Sequence, residues 1–252
     1  MNPPQFSPKS RRALLLGAIF LFINGFFVAK VEEATRPELA GVSAAFVLVL
    51  WFPSLLAAKN WLGWKRAVLL LGTLGAFAIA IETIAIKTGL PYGQFSYGDK
   101  IGAKLFGVVP WTVPFSWPPL VLGAMALAAR IAPKRRLIGG TLILLCFDLV
   151  LDPGAVQQKF WAYKAGGVYY GVPFSNFCGW IVSGWIGSWI FRRLTQEKPA
   201  PLTLISSVAV ILAFWTSVTL FVGLWIPALV GFALLVWIRR EVSTSTDIIR
   251  VS

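Results

Sequence analysis

The sequence predicts an all-α, polytopic membrane helix bundle with about eight (7–8) transmembrane helices and with both termini in the cytoplasm. Three observations predict this fold class. Hydrophobic residues make up 57% of the 252 residues and charged residues only 13%, about half the charged fraction of an ordinary globular domain. Apolar segments long enough to cross a bilayer recur along the chain. Basic residues cluster in alternate connections between those segments.

Apolar segments of about 20 residues predict the individual helices, because that length crosses the hydrocarbon core. The first one lacks a small-residue cleavage site, so we interpret it as a retained helix and not as a removed signal peptide. The last two form one apolar stretch that Gly223 and Pro227 interrupt; if this hairpin does not re-cross, the protein has seven spans. The predicted helices cover residues 13–30, 40–58, 67–87, 112–131, 137–152, 176–191, 203–222 and 224–238.

Positive charge predicts the orientation, because Lys and Arg concentrate in cytoplasmic connections. With a cytoplasmic N-terminus, 16 of the 23 Lys and Arg residues fall on the cytoplasmic side, which also predicts an even number of spans. They are Lys9, Arg11, Arg12, Lys59, Lys65, Arg66, Arg130, Lys134, Arg135, Arg136, Arg192, Arg193, Lys198, Arg239, Arg240 and Arg250. We attribute the net charge of +13 to topology and contact with membrane lipids, not to nucleic-acid binding.

The chain has no convincing internal repeat and no low-complexity linker that would divide it. We therefore predict a single integral-membrane domain at 13–240, between a cytoplasmic tail at 1–12 and a second cytoplasmic tail at 241–252. In the sixth predicted helix, Gly179, Ser183 and Gly187 form a stripe of small residues at four-residue spacing. Such a stripe lets another helix approach closely, either within the chain or in a homodimer.

Three of the ten acidic residues lie in or at the end of apolar segments: Glu82, Asp148 and Asp152. A charged side chain at the centre of a membrane helix costs about 2.5–3.5 kcal/mol, and such residues usually line a cavity or do chemistry. The chain has no His, so proton transfer would fall to Asp, Glu, Tyr or Lys. All three acids are predicted near the outer face, together with the two longest non-helical connections, 88–111 and 153–175.

Asp148 and Asp152 are four residues apart, so they share one face of a helix about one turn apart. Two carboxyls that close rarely ionise together in a low dielectric, so one is expected to keep its proton. Two alternatives remain open. Asp152 precedes Pro153 and could simply end the helix, and Glu82 could be a buried partner of a Lys or Arg.

Two segments that contain these acids resemble the membrane-embedded carotenoid 1',2'-hydratases. The segments are IETIAIKTGLPYGQFSYGDKIGAKLFGVVPWTVPFSW at 81–117 and DLVLDPGAVQQKFWAYKAGGVYYGVPFSNFCGW at 148–180, and the resemblance extends roughly from the second predicted helix through the sixth. It implies redox-neutral addition of water to the terminal double bond of an acyclic carotenoid, giving a tertiary alcohol at C1'. Implied substrates have γ-carotene-like, lycopene-like or bacterioruberin-precursor-like ends. The expected location is a prokaryotic plasma membrane or an internal photosynthetic membrane.

Hydration of an alkene needs a neutral acid, shelter for a tertiary cation and a base for the attacking water. We predict Asp148 as the acid, with Glu82 or Asp152 orienting and deprotonating water. Asn176 is predicted either to cap the sixth helix or to position water. Aromatic faces stabilise cations, although they are also favoured at membrane interfaces. The predicted aromatic walls of the substrate tunnel are Tyr92, Phe95, Trp111, Trp117, Tyr163 and Tyr170.

No cofactor is predicted, because the sequence has no phosphate loop, nucleotide fingerprint, metal cluster or nucleophile elbow. Two other functions remain open. A carotenoid end-group cyclase would begin with the same protonation, and the cation would then be captured by an internal double bond. A transporter or proton relay would instead be expected to show inverted repeats and broken helices near the membrane midplane.

Overall fold

The computed structural model describes residues 6–244, which fold into eight α-helices. The eight predicted helical segments are thereby confirmed as helices. The outer parts of both predicted tails, 1–5 and 245–252, lie outside the described residues. The helices are α1 (Pro8–Lys30), α2 (Ala40–Leu62), α3 (Trp64–Thr88), α4 (Val113–Ile131), α5 (Arg136–Gln157), α6 (Phe174–Thr195), α7 (Ser206–Phe221) and α8 (Trp225–Thr244).

Five segments of the described chain are long and apolar enough to cross a membrane: Pro8–Lys30, Pro37–Leu62, Trp64–Thr88, Arg136–Gln157 and Leu202–Phe221. Their length and hydropathy support a membrane protein. The number of crossings and the cytoplasmic position of the termini stay predictions.

Helix α4 lies at the centre of the bundle, where every residue from Trp117 to Ala128 is buried. It contacts α2, α3, α5, α6 and α7. By contrast, α1 is peripheral, and large apolar side chains such as Phe20 on its outer face are exposed, as expected for a helix that faces lipid. It packs along α7, where a Cβ on Gly25 would lie 2.4 Å from the carbonyl oxygen of Phe214. Only glycine allows this approach.

The small-residue stripe of α6 packs inside the chain. A Cβ added to Gly179 would lie 2.3 Å from the Tyr92 ring, and one added to Gly187 would lie 2.4 Å from the Trp117 ring. Ser183, between them, is fully buried. This face is therefore packed within one chain, and a homodimer contact through it stays a prediction.

The connections group at two ends of the bundle. At one end, Arg130 Nε lies 3.1 Å from Glu241 Oε2, which joins the C-terminal ends of α4 and α8. At the other end, Lys100 Nζ donates to Thr35 Oγ1 at 2.8 Å and to the carbonyl of Gln158 at 3.2 Å. This second end holds the two long connections, and their folding positions the candidate site.

Short antiparallel strands join the two long connections. Strand β1 (Phe95–Tyr97) pairs with β4 (Trp161–Tyr163), so that Phe95 lies opposite Tyr163 and Tyr97 opposite Trp161. Strands β2 (Lys104–Leu105) and β3 (Val109–Pro110) form a second small ribbon. Successive residues of a strand point to opposite faces, so the four aromatic residues of β1 and β4 share one face.

Helix α5 continues past Asp152 to Gln157, so the prediction that the helix ends at Asp152 is wrong. Pro153 has no N–H to donate to the carbonyl of Leu149, one turn earlier. The hydroxyl of Tyr169 donates to that carbonyl at 3.0 Å and replaces the missing bond. A side chain 20 residues away in the sequence thus lets the helix extend through the proline.

We expect Tyr169→Phe to lower the free energy of unfolding by about 1–3 kcal/mol, because it leaves the Leu149 carbonyl without a donor. Pro153→Ala supplies a backbone N–H for the same carbonyl. Tyr169→Phe should therefore cost much less in the Pro153→Ala background. Thermal unfolding of the four proteins in one detergent checks this coupling, and equal costs in both backgrounds would contradict it.

Candidate active site

A cavity of about 400 Å³ runs from the periphery of the bundle to the paired connections. Apolar side chains of α1, α2 and α7 line its outer part, among them Phe27, Phe46 and Phe214. Polar and aromatic side chains from α3, α5, α6 and the two strands of the β1–β4 pair line its inner end. The cavity is therefore a long apolar space with one polar end.

The β1–β4 pair forms an aromatic plate at this end. Phe95, Tyr97, Trp161 and Tyr163 all line the cavity. The ring centroid of Phe95 is 5.5 Å from that of Tyr97 and 5.7 Å from that of Tyr163, and the Tyr97 and Trp161 centroids are 5.8 Å apart. Because each ring contacts the next, the plate presents a continuous aromatic surface to the cavity.

Glu82 lines the cavity from α3 and accepts a hydrogen bond from the hydroxyl of Tyr97. Burial, followed by the negative charge of Glu82, raises the pKa of the Tyr97 phenol well above its usual range, so the hydroxyl keeps its proton and donates. Within residues 6–244 no Lys or Arg forms an ion pair with Glu82. The alternative of a buried salt bridge is therefore not the arrangement found.

Asp152 lines the cavity from α5, whereas Asp148 is fully buried and lies behind it. Asn176 Nδ2 donates to Asp148 Oδ2 at 2.8 Å. The hydroxyl oxygen of Tyr163 lies 2.7 Å from Asp152 Oδ2 and 2.8 Å from Asn176 Oδ1. One hydrogen-bonded cluster therefore contains the two aspartates of α5, the side-chain amide of Asn176 on α6 and the phenol of Tyr163 on β4.

Burial raises the pKa of the Tyr163 phenol well above its usual range, and the neighbouring Asp152 and Asp148 carboxyls add to this effect. The hydroxyl therefore keeps its proton within the cluster. Asn176 is not the N-cap of α6, because the cap is Pro173 and Asn176 lies in the first turn. Its side chain contacts Asp148 and Tyr163, so the capping alternative is wrong.

The structure brings most of the predicted site residues together, but not all. Tyr92 and Trp117 line the cavity, together with Phe95, Tyr163 and Asn176. The structure places two of the predicted aromatic residues away from the cavity wall. Trp111 packs on Phe115 with ring centroids 6.1 Å apart, and Tyr170 packs on Tyr169 at 5.2 Å.

Sequence reasoning missed Tyr97, Trp161 and Trp180, which line the same space. The alternation of aromatic residues at 95 and 97 and at 161 and 163 is the signal that could have found the first two, because it is the period of a strand. Among the side chains that the structure describes, at 6–31 and 34–244, no three His, Cys, Asp or Glu are grouped as metal ligands.

Comparison with known proteins identifies relatives. The family model described as carotenoid biosynthesis protein matches residues 39–238. A protein named bisanhydrobacterioruberin hydratase, from Haloarcula japonica, is 33% identical over an alignment of 248 residues; the match covers 89% of this chain and 83% of the relative. No solved structure matches the chain.

We expect Asn176→Leu to lower the free energy of unfolding by about 2–3 kcal/mol, because it removes a donor from the fully buried Asp148. Asn24→Leu is the matched control. The Asn24 amide donates only to the Phe20 carbonyl of its own helix, so a change within about 0.5 kcal/mol is expected. Thermal unfolding measures both, and equal effects would contradict a structural role for the Asn176–Asp148 bond.

Proposed function

The chain belongs to the carotenoid biosynthesis protein family, and from that premise we propose that it is a hydratase that adds water to the terminal 1',2' double bond of an acyclic carotenoid. The observation that carries the proposal is the apolar cavity that ends at two carboxyls, Glu82 and Asp152, beside an aromatic plate. An apolar tunnel suits a polyene, and the carboxyls provide an acid and a base where its end would lie.

In the first step, Asp152 in its neutral form gives its proton to C2' of the terminal double bond. The electron pair of the double bond forms the new C–H bond, and a tertiary cation remains at C1'. The faces of Tyr97, Trp161 and Tyr163 line the cavity around this position. Each aromatic face can stabilise a nearby cation by about 0.5–2 kcal/mol, depending on how dry the site is.

In the second step, water attacks C1' and Glu82 takes its proton, which leaves a tertiary alcohol. Tyr97 holds the Glu82 carboxyl in place by its hydrogen bond, so that one oxygen stays oriented. One proton enters the carotenoid from Asp152 and one leaves the water to Glu82, so the reaction is redox-neutral. Transfer of that proton back to Asp152 through water restores the site.

This assignment differs from the sequence prediction, which placed Asp148 as the acid. Asp148 is fully buried and does not line the cavity, whereas Asp152 does. A group must reach the reacting atom to protonate it, so we propose Asp152 as the donor. A carotenoid cyclase would share this first step, and hydration is favoured because the relative from Haloarcula japonica is named a hydratase.

We propose that the carotenoid enters from the lipid between α1 and α2. Helix α1 packs along α7 and not along α2. Phe27 of α1 and Val42 of α2 line the cavity and are also 51% and 64% exposed, so the cavity opens between them. A polyene comparable in length to the roughly 30 Å hydrocarbon core cannot fit within about 400 Å³. Only one end enters, and the remaining chain stays in the lipid.

The proposed setting is a prokaryotic plasma membrane or an internal photosynthetic membrane, with both termini in the cytoplasm. The site then lies toward the outer face. The natural substrate is proposed to carry a γ-carotene-like, lycopene-like or bacterioruberin-precursor-like end.

Expression in a host that makes lycopene or γ-carotene should give a pigment heavier by one water, detected by mass spectrometry. We expect Asp152→Asn and Glu82→Gln each to lower product formation by about 10²–10⁴-fold, because each removes a proton-transfer group. No hydrated product from either carotenoid, with the protein present in the membrane, would contradict the proposed hydration.

The matched controls are the same two substitutions made at carboxyl residues outside the cavity. Asp99 has an exposed side chain and Glu241 pairs with Arg130 at the opposite end of the bundle. Asp99→Asn and Glu241→Gln should therefore retain product formation. If either control loses as much product as its counterpart in the cavity, the loss cannot be assigned to proton transfer.

A bulky side chain on the α2 wall of the cavity should test the proposed entry route. Val47→Trp should slow hydration of a full-length carotenoid, because Val47 lines the cavity on α2. A short isoprenoid with the same terminal double bond should react nearly as well as with the unchanged protein. Val49→Trp is the control, since Val49 is 67% exposed and does not line the cavity. Equal slowing of both substrates by Val47→Trp would contradict entry between α1 and α2.

A further inference from the structure

We infer that Asp148, Asp152, Tyr163 and Asn176 form one proton-holding unit, the Asp ring, in which at least one of the two carboxyls is neutral and Asp152 is the carboxyl that faces the cavity. The inference deepens the proposed function and rests on it for the identity of the proton acceptor. The protonation of the ring itself rests only on hydrogen-bond geometry.

The single proton of the Tyr163 hydroxyl cannot satisfy both of the oxygen atoms beside it. Its hydroxyl oxygen is at hydrogen-bond distance from two oxygens, Asp152 Oδ2 and Asn176 Oδ1. A phenol has one proton and can donate it to only one of them. The other contact is favourable only if the neighbouring atom donates to the phenol oxygen. One member of the cluster must therefore carry a proton toward Tyr163.

The side-chain amide of Asn176 can take either of two orientations, and each of them requires a protonated aspartate. If its nitrogen donates to Asp148, its oxygen faces Tyr163 and takes the phenol proton, so Asp152 must donate and is neutral. If the amide is turned over, its nitrogen donates to Tyr163 and its oxygen faces Asp148, so Asp148 must donate and is neutral. In either orientation one aspartate holds a proton.

Two further observations lead to the same conclusion. Asp148 Oδ1 is buried and has no hydrogen-bond partner, which disfavours a charged carboxylate at that position. Among residues 6–244, neither aspartate has a Lys or Arg partner. Two ionised carboxylates would thus be buried together without a compensating charge.

The ring gives its members different tasks. Asp152 faces the cavity and is the catalytic acid, whereas Asp148 is sealed behind it and acts as a positioning residue through Asn176 and Tyr163. When Asp152 gives its proton to carbon, its carboxyl becomes an anion. The O–H of Tyr163 then turns to donate to Asp152, while the N–H of Asn176 continues to donate to Asp148.

Infrared spectroscopy of the purified full-length protein in lipid nanodiscs tests the ring without any substrate. In the Glu82→Gln background, at neutral pH, we expect a C=O stretching band of protonated carboxyl that shifts in D₂O. The band should be lost when Asp148→Asn and Asp152→Asn are added together. Identical spectra with and without the two aspartates would mean that both were ionised, which overturns the inference.

Variants of the linking residue sharpen the test. Tyr163→Phe should shift the frequency of the band, because the carboxyl loses its phenol partner. Tyr169→Phe also removes a phenol hydroxyl, but one that donates to a backbone carbonyl, and should leave the band in place. A band unchanged by Tyr163→Phe, or shifted equally by both variants, would contradict the ring.

The activity of the same variants separates the inference from the proposed function. Asp148→Asn should lower kcat less than Asp152→Asn does, because it leaves the acid that faces the cavity. Equal losses would overturn the assignment of Asp152 as the delivering group. A protonated-carboxyl band without any hydration activity would support the Asp ring and contradict the proposed function. Hydration activity without the band would support the proposed function and contradict the Asp ring.

Discussion

The structure depends on the cost of placing three carboxyl groups inside the bundle where, among the described residues, no Lys or Arg forms an ion pair with them. Each such group needs donors with good geometry, since an unpaired buried polar group costs far more than a hydrogen bond gains. The donors here are the phenols of Tyr97 and Tyr163 and the amide of Asn176. Two of these three lie in the connections, not in the helices. The connections must therefore fold back onto the bundle, and the β1–β4 pair holds them there.

The same requirement explains how α5 carries both aspartates in one continuous helix. Asp152 can remain on the helix face only if the helix does not stop at Pro153. Tyr169, from the second long connection, replaces the lost backbone bond. Close packing of the first long connection against α6 adds to this support, because Gly179 lets the Tyr92 ring lie directly against the helix. Backbone hydrogen bonding and packing thus fix the positions of the acids.

In the proposed hydration, proton transfer is divided between two sides of one cavity. Glu82 and Tyr97 form one pair, and the Asp ring forms a second group around Asp152. Glu82 and Asp152 each contact a phenol that stays protonated because it is buried. The aromatic plate lies between these groups, where a cation would form in the proposed hydration. In the proposed hydration, an acid, a cation shelter and a base therefore occupy successive positions along the inner end of the cavity.

The helices, the membrane character and the identity of the unusual acids could be predicted from the sequence alone. These follow from local properties: the length of each apolar segment and the cost of a carboxyl within it. Tertiary structure alone decided that Asp148 is sealed while Asp152 faces the cavity, that Asn176 is a partner and not a cap, and that Tyr97 belongs to the site. Those features depend on contacts between residues as far apart as 148 and 176, or on strand pairing between 95 and 163. Spacing within one helix places two carboxyls on a shared face, but only packing decides which one meets the cavity.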